Sequence, residues 1–418
     1  MRAKSALPVS NKILGKMAAQ AQRLCYLRKA QFIMDELLTK ENLDLRAMVR
    51  GIAEQYVRPV AAELDRTGEY PWEVIKALQQ NGLMGVWIPK EYGGKGMGIL
   101  NLCLTVEELS KACGGVGVAY AVNALGSFPI LLGGTEEQKK KYLPQIAEGK
   151  KLIAFCLSEK TAGSDAGSMK ARSEMRDGMW VLNGTKKWTT NANAATIYSV
   201  FTSSNPDRGS RGITAFIVEK GTPGFTIGKR EDLMGIRCVP VHETHFEDVH
   251  VPPEDMLGGQ EGRGFMHAMM TLDWARPGVA AQALGLAQGA LDLAVAYTKE
   301  REQFGQSIAS NQGIQFMLAD MATQVEASRQ LVYAAATAID RGAKSVSKIA
   351  SMAKVFATDT AMRVTTDAVQ LFGGYGYCKD YPIEKYMRDA KITQIYEGTN
   401  QIQRMVIGRA LIKESSSK

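Results

Sequence analysis

Met179-Trp180-Val181-Leu182-Asn183-Gly184-Thr185-Lys186-Lys187-Trp188-Thr189-Thr190-Asn191 is the stretch on which the fold turns. Its opening run, Met179–Leu182, is apolar and β-type, and it meets Asn183-Gly184, a strong two-residue turn signal. Three similar runs follow at Ile197–Thr202, Ile213–Val218 and Thr244–Val251, with turn clusters at Asn205-Pro206-Asp207 and Thr222-Pro223-Gly224. These runs, starting near Lys151, predict a compact β domain.

On either side the periodicity is helical. Upstream, Leu45, Met48, Val49, Ile52 and Tyr56 recur at helical spacing, and the pattern resumes over Trp72 to Leu83 and Val106 to Cys113. Gly93, Gly94, Gly96 and Gly98 form a loop between these helices, and Thr135-Glu136-Glu137-Gln138 reads as a helix start with acids in its first turn. Downstream of Gly259 the chain is rich in Ala, Leu and Met, and Ile314, Met317, Leu318, Met321 and Val325 mark a long amphipathic helix. That composition reads as bundle core. The expected organisation is 1–33 a basic, disordered leader or extension, 34–150 an N-terminal helical domain, 151–258 a central β domain and 259–418 a C-terminal helical bundle. A Ser-rich tail from Glu414 to Lys418 is expected to fray.

At 418 residues, 45% hydrophobic and 22% charged, the chain has ordinary globular composition, which excludes disorder, collagen and disulfide scaffolds. The net charge is +8, but residues 1–34 hold seven Lys and Arg and no acid. The remainder is almost neutral, which argues against nucleic-acid binding through many phosphate contacts. The leader has the composition of an organelle transit peptide, and equally of an extension ahead of a start at Met34. The corresponding locations are a bacterial cytoplasm or, for a transit peptide, the mitochondrial matrix. No uninterrupted apolar run reaches the length of a membrane helix, so no span is predicted.

Cys25, Cys103, Cys113, Cys156, Cys238 and Cys378 form no close pair, which fits reduced thiols and offers no zinc spacing. His242 and His245 lie on a strand-like segment where three-residue spacing sends the rings to opposite faces, so no metal site is predicted. Phosphate-loop signatures fail: Gly115-Val116-Gly117 has Tyr120, and Gly374-Tyr375-Gly376 has Lys379, where a third glycine is needed. No histidine neighbours a serine or cysteine nucleophile in sequence. What remains is chemistry by carboxylates, backbone amides and a bound organic cofactor.

Arg388-Asp389-Ala390-Lys391-Ile392-Thr393-Gln394-Ile395-Tyr396-Glu397-Gly398-Thr399-Asn400-Gln401-Ile402-Gln403-Arg404 carries the most specific signal. Glu397 follows apolar and aromatic residues and precedes a glycine. Held against Ile395 and Tyr396, its carboxylate would be desolvated and suited to act as a base; alternatively it is a solvated Glu starting the next helix.

That segment, with Phe155-Cys156-Leu157-Ser158-Glu159, Ala162-Gly163-Ser164-Asp165, Asn183 through Asn191, Glu300-Arg301-Glu302-Gln303-Phe304-Gly305 and Leu371-Phe372-Gly373-Gly374-Tyr375-Gly376, resembles the acyl-CoA dehydrogenase family, its short- and medium-chain type. The motifs run in the same order from about Met34 to Leu411. The resemblance implies an α+β fold with an N-terminal helical domain, a central β domain and a C-terminal four-helix bundle. It implies FAD as cofactor, an acyl-CoA substrate, an electron-transfer flavoprotein as electron acceptor, and a homotetramer or dimer.

It further implies that Glu397 removes the α-proton of the thioester while the β-hydrogen leaves as hydride to the flavin, giving the trans-2-enoyl-CoA, with the Glu397 N–H polarising the carbonyl. Isovaleryl-type and long-chain members carry the base at the position of Ala275, which cannot accept a proton. Ser158, Trp188, Thr189 and Thr190 resemble flavin-ring contacts, with core packing the alternative for Trp188. Arg301, Phe304 and Gln312 resemble residues reaching the FAD of a neighbouring subunit, with Gln370, Gly373 and Gly374 receiving its ADP half; a solvated charge is the alternative for Arg301. Thr399 and Gln401 would flank the flavin on the base's side. Ser164, Asp273 and Arg276 match CoA-holding positions, and Tyr396 and Gly398 line the thioester end.

Two departures stand out. Lys160-Thr161 replaces the family's Pro-Gly after Glu159, which puts the conformation of that loop in question, and Trp274 places bulk beside the acyl-facing helix. Rival readings are an enoyl-CoA reductase using the same residues in reverse, a flavin-dependent oxidase or monooxygenase, and a flavin-bearing DNA-binding relative, against which the near-neutral body argues.

Overall fold

The computed structural model describes residues 38–415, so the readings of 1–33 and of the last three tail residues lie outside it. The described residues fall into two units that divide between Leu43 and Asp44. In the first, the Asn42 side-chain oxygen accepts the Thr39 N–H at 3.0 Å and its hydroxyl at 2.9 Å, at the start of helix α1 (Lys40–Ile52).

The helices that follow are α2 (Ala61–Thr67), α3 (Trp72–Gln80), α4 (Gly98–Ala112), α5 (Gly114–Gly133) and α6 (Glu136–Ala147). Of the expected apolar stripe, Leu45, Val49 and Ile52 are buried while Met48 and Tyr56 are exposed. Residues Ala53–Val57 form a π turn, and the extra residue rotates Tyr56 off the buried face. Helix α3 ends at Gln80, short of Leu83, because the chain reverses at Asn81-Gly82 and the Leu83 N–H donates back to Leu78 O at 2.9 Å. Helix α6 starts where the sequence puts it. The Thr135 hydroxyl accepts the Gln138 N–H at 3.3 Å and the Gln138 side chain accepts the Thr135 N–H at 3.0 Å, a reciprocal capping box.

From Ile153 the backbone becomes β: β1 (Ile153–Cys156), β2 (Arg172–Arg176), β3 (Met179–Thr190), β4 (Ile197–Ser203), β5 (Ile213–Glu219), β6 (Phe225–Arg230) and β7 (Val241–Val251). They form one seven-stranded sheet in the order β1-β4-β2-β3-β7-β6, with β5 also on β4. Trp180, Leu182, Tyr198, Val200, Phe216, Val218, Phe246 and Val249 share one buried cluster in this domain.

The expected turn at Asn183-Gly184 does not exist. Strand β3 runs straight through it, and its pairing with β7 slips between Leu182 and Gly184. Gly184, at φ 141°, lets Ala171 approach so closely that an added Cβ would lie 2.6 Å from the Ala171 Cβ. The true hairpin turn is Asp177-Gly178, with φ 50° and 80°, joining β2 to β3. Strand β2, Arg-Ser-Glu-Met-Arg, has too little apolar character to announce itself.

Beyond Gly264 the chain is helical again: α7 (Gly264–Glu300), α8 (Gln312–Asp340), α9 (Ser347–Phe372), α10 (Ile383–Thr393) and α11 (Asn400–Ser415), with a small hairpin, β8 (Glu302–Gln303) and β9 (Gln306–Ser307), between α7 and α8. Helices α7, α8 and α9 pack along one another and α10 and α11 pack on α9. Buried Glu107 of α4 accepts from Arg329 at 3.2 Å and from the Tyr333 hydroxyl at 2.7 Å, so α8 is tied to α4 through a charge that is paired rather than stranded. Helices α5 and α7 are long and apolar enough to cross a membrane by length and composition; in each, 78% of the apolar window is buried inside the protein.

Candidate active site

Helix α10 delivers the chain to Glu397. Its buried Asp389 accepts the Ile236 N–H at 2.6 Å, and Arg388 reaches Asp65 at 2.7 Å, which fixes the helix against the rest of the fold. A short loop, residues 394–399, then joins α10 to α11. Glu397 adopts φ 53°, a left-handed conformation that a side chain takes only where surroundings enforce it. Hydrogen bonds from two neighbouring side chains enforce it. Gln403 Nε2 donates to Glu397 O at 3.2 Å and Gly398 O at 2.9 Å, and the Lys354 ammonium donates to Gly398 O at 2.8 Å and Asn400 Oδ1 at 2.9 Å. Asn400 N–H closes the loop onto Gln394 O at 3.0 Å.

The Glu397 side chain is half-buried and its Oε2 has no hydrogen-bond partner. Burial, opposed by Lys354 and Arg276, raises its pKa to about 7. The carboxylate is desolvated rather than a solvated Glu at a helix start. Among the described residues, no acceptor takes the Glu397 N–H, which leaves a donor free beside the carboxylate. Arg276 of α7 is buried, ion-paired with Asp273, and its Nε has no partner. Burial lowers the Arg276 pKa and raises that of Asp273. The Tyr396 hydroxyl donates to buried Gln282. Thr399 Oγ1 accepts the Ile402 N–H at 3.3 Å, capping α11, with Gln401 exposed beside it.

In the β domain, Trp188 has φ 58° and sits where the β3–β7 pairing slips between Lys186 and Thr189. Such a bulge re-aims a side chain, and the indole is 50% exposed, which rules out core packing. Ser158 O accepts the Lys187 N–H at 2.8 Å, placing Ser158 next to the bulge. Thr189 is buried with its hydroxyl toward Cys156 Sγ and Thr244, and Thr190 is half-buried. The loop altered by Lys160-Thr161 is well defined: Glu159 and Ala162 exchange two backbone hydrogen bonds, and the Glu159 carboxylate accepts the Lys170 and Ala171 N–H groups and the buried Lys186 ammonium. Ser164 is exposed on it. Trp274 packs edge-on against Phe128, with ring centroids 5.8 Å apart.

A third set faces outward. Arg301, Gln370, Gly373 and Gly374 line a cavity of about 530 Å³ together with Tyr297, Phe372 and Tyr375. Gly373 has φ 59° and ψ −138°, a conformation open to glycine alone, and a Cβ added at Gly373 or Gly374 would meet nothing within 4 Å. The result is an open backbone cradle with a guanidinium at its rim, a fit for a phosphate-bearing cofactor half such as that of FAD. Phe304 and Gly305, φ 53° and 78°, form the two-residue tip of the β8–β9 hairpin; Phe304 is fully exposed, and Gln312, nearby in sequence, is exposed. Neither Glu397 nor Trp188 lines this cavity. Among the described residues, no group of three or more His, Cys, Asp or Glu side chains is placed to hold a metal ion.

Sequence reading missed Lys354, Gln403 and Gln282. One signal for Lys354 was present: it stands on the stripe Ala350, Ala353, Ala357, Ala361 that α9 buries.

Three domain models match in order: acyl-CoA dehydrogenase N-terminal domain over residues 39–150, middle domain over 154–249 and C-terminal domain over 262–412. Butyryl-CoA dehydrogenase from Megasphaera elsdenii is 48% identical, with a TM-score of 0.88, covering 90% of this chain and 99% of its own. A chain in the structure described as the electron transferring flavoprotein of Acidaminococcus fermentans is 50% identical, with a TM-score of 0.88, over 90% of this chain and 98% of that one. Acryloyl-CoA reductase (NADH) of Anaerotignum propionicum is 46% identical over 91% of this chain and 96% of its own length. With its three domains matched in sequence and in structure, the chain belongs to the acyl-CoA dehydrogenase family of FAD-dependent oxidoreductases.

Proposed function

We propose that this protein α,β-dehydrogenates a short-chain acyl-CoA to the trans-2-enoyl-CoA, with Glu397 as the base. The observation that carries the proposal is the Glu397 carboxylate: half-buried, one oxygen unpartnered, its pKa near neutrality. The α-proton passes to this carboxylate, and the free Glu397 N–H donates to the thioester oxygen as negative charge develops there. FAD, when bound, supplies the acceptor for the β-hydrogen and its electron pair. Arg301, Gln370, Gly373 and Gly374 would hold its phosphate-bearing half, and Ser158, Trp188 and the Thr189–Thr190 backbone its ring. Because neither Glu397 nor the Trp188 bulge lines the cavity at Gly373 and the Phe304 ring is wholly exposed, we take the cradle to be completed by a second copy, giving a homo-oligomer. Electrons leave to an electron-transfer flavoprotein, a partner suggested by the Acidaminococcus likeness. The short-chain class is suggested by the butyryl-CoA dehydrogenase likeness.

The likeness to an acryloyl-CoA reductase favours a second reading, the same proton and hydride movements run toward the saturated thioester. Anaerobic titration of the purified flavoprotein with acyl-CoAs of graded length separates the two. Bleaching of the flavin by butyryl-CoA supports the dehydrogenase; a flavin untouched by acyl-CoAs, whose reduced form is reoxidised by enoyl-CoAs, supports the reductase.

A further inference from the structure

Resting on the reading of Glu397 as the base, we infer that Lys354 is the positioning residue of this site: its side chain clamps the Glu397–Asn400 segment and, while protonated, acts as the counter-charge of the Glu397 carboxylate.

The geometry is specific. Lys354 is fully buried on α9, where an unpaired ammonium has no place. Its Nζ spends two hydrogen bonds on the residues flanking the base, Gly398 O at 2.8 Å and Asn400 Oδ1 at 2.9 Å. Asn400 is in turn locked by Thr358 Oγ1 at 2.8 Å and Asp359 Oδ1 at 2.7 Å, so the clamp is anchored to the same helix that carries the lysine. No salt bridge joins Lys354 to a carboxylate within 4 Å among the described residues, yet Glu397 is the first charge that favours its ammonium. The lysine therefore sits close enough to bias the base without capturing it. A direct ion pair would tie up the carboxylate oxygens that a substrate proton must reach; a clamp on the backbone leaves Oε2 without a partner.

The charged groups around the base are few. Lys354 faces it from α9, Arg276 from α7 and Tyr396 from its own loop, while Asp359 of α9 faces Lys354 and Asp273 pairs with Arg276. Arg276 is already paired with Asp273, and Lys354 opposes the burial of Glu397 more strongly than Arg276 does. Burial also lowers the pKa of Lys354, to about 7, so the clamp and the base titrate in the same pH range.

Three variants test the inference. Lys354→Gln removes the charge but keeps a donor for Gly398 O and Asn400; Lys354→Met removes both; Lys354→Arg keeps the charge. The Glu397 carboxyl is titrated in the holoenzyme by infrared difference spectroscopy, its band identified by its loss in Glu397→Gln, alongside the pH profile of kcat/KM. Removing the counter-charge in Lys354→Gln is expected to move both the carboxyl titration and the acid limb of activity up by about one pH unit. Lys354→Arg is expected to leave them in place. Lys354→Met should add a loss in kcat larger than any change in KM, with faster amide exchange over residues 394–400. If Lys354→Met does not fold, Lys354→Gln and Lys354→Arg still decide. A carboxyl titration and acid limb unmoved in Lys354→Gln overturn the inference while leaving Glu397 as base; a Glu397→Gln enzyme with normal turnover overturns the base assignment itself.

Discussion

The buried ammonium of Lys186 lies 2.7 Å from the Glu159 carboxylate, inside the β domain and directly beneath the loop where Lys160-Thr161 departs from the family pattern. The partners gain unequally. Burial pushes the Glu159 carboxyl up, but Lys186 and the Lys170 and Ala171 amides outweigh it and hold the group below the usual carboxylate range. Burial of Lys186 outweighs what Glu159 returns, and its pKa is lowered. Replacing Lys186 by Met strands the carboxylate and should destabilise the protein by about 3–5 kcal/mol, read from the urea midpoint. Because the folded Glu159 value lies below the unfolded one, its contribution is present above the ordinary carboxylate range and fades as pH falls through the lowered value. A Lys186→Met protein as stable as wild type at pH 7 contradicts this account.

Glu397→Gln should bind flavin normally and lose turnover by about 10²–10⁴-fold, the range of a positioned general base. Wild-type kcat/KM should rise as pH passes through about 7, where the Glu397 carboxyl ionises. The stability effect has the opposite sign. A carboxyl whose folded value is raised holds its proton more tightly in the folded state, so ionisation above that value weakens the fold. Glu397→Gln is therefore expected to melt several degrees higher than wild type at pH 8, in a thermal scan at fixed flavin concentration.

Gly373→Ala tests the cradle. At φ 59° and ψ −138° an alanine is strained by about 1–3 kcal/mol, though it meets no neighbouring atom. Its Cβ would project into the space assigned to the cofactor. The expected result is a lower melting temperature together with weaker FAD retention on gel filtration; full flavin content would remove Gly373 from the cofactor site.

Phe304 holds its left-handed conformation at a hairpin tip with its ring wholly exposed. Phe304→Gly relieves the backbone and removes the ring. The chain should fold at least as well as wild type, while flavin content and oligomer mass, by light scattering, both fall. An oligomer that keeps its mass and its flavin would show that the tip contacts neither.

The division into helix, sheet and helix was legible because each region keeps its own hydrophobic period. What escaped was set by neighbours. Strand β2 has three charged residues in five and takes its structure from pairing with β3, so the reversal at Asp177-Gly178 was hidden and Asn183-Gly184 looked like the turn. The role of Trp188 came from resemblance, while its exposure depends on a slip in pairing with β7 that no local pattern encodes. Glu397 was open between two readings from its spacing, because burial of a loop carboxylate depends on α7 and α9, far away in sequence. Lys354 looked like any lysine on a helix; only the stripe of alanines around it hinted that its face turns inward.

The outward hairpin changes what counts as a broken chain. In the assembly proposed above, a protein lacking Phe304 would keep its own base and damage the site next door, whereas one lacking Glu397 would keep a sound hairpin and damage itself. Co-assembled from the two variants, a mixed oligomer would contain some sites with both an intact base and an intact neighbouring tip, so the pair is expected to regain activity that neither has alone. On that proposal a defect follows the seam between subunits rather than the individual polypeptide.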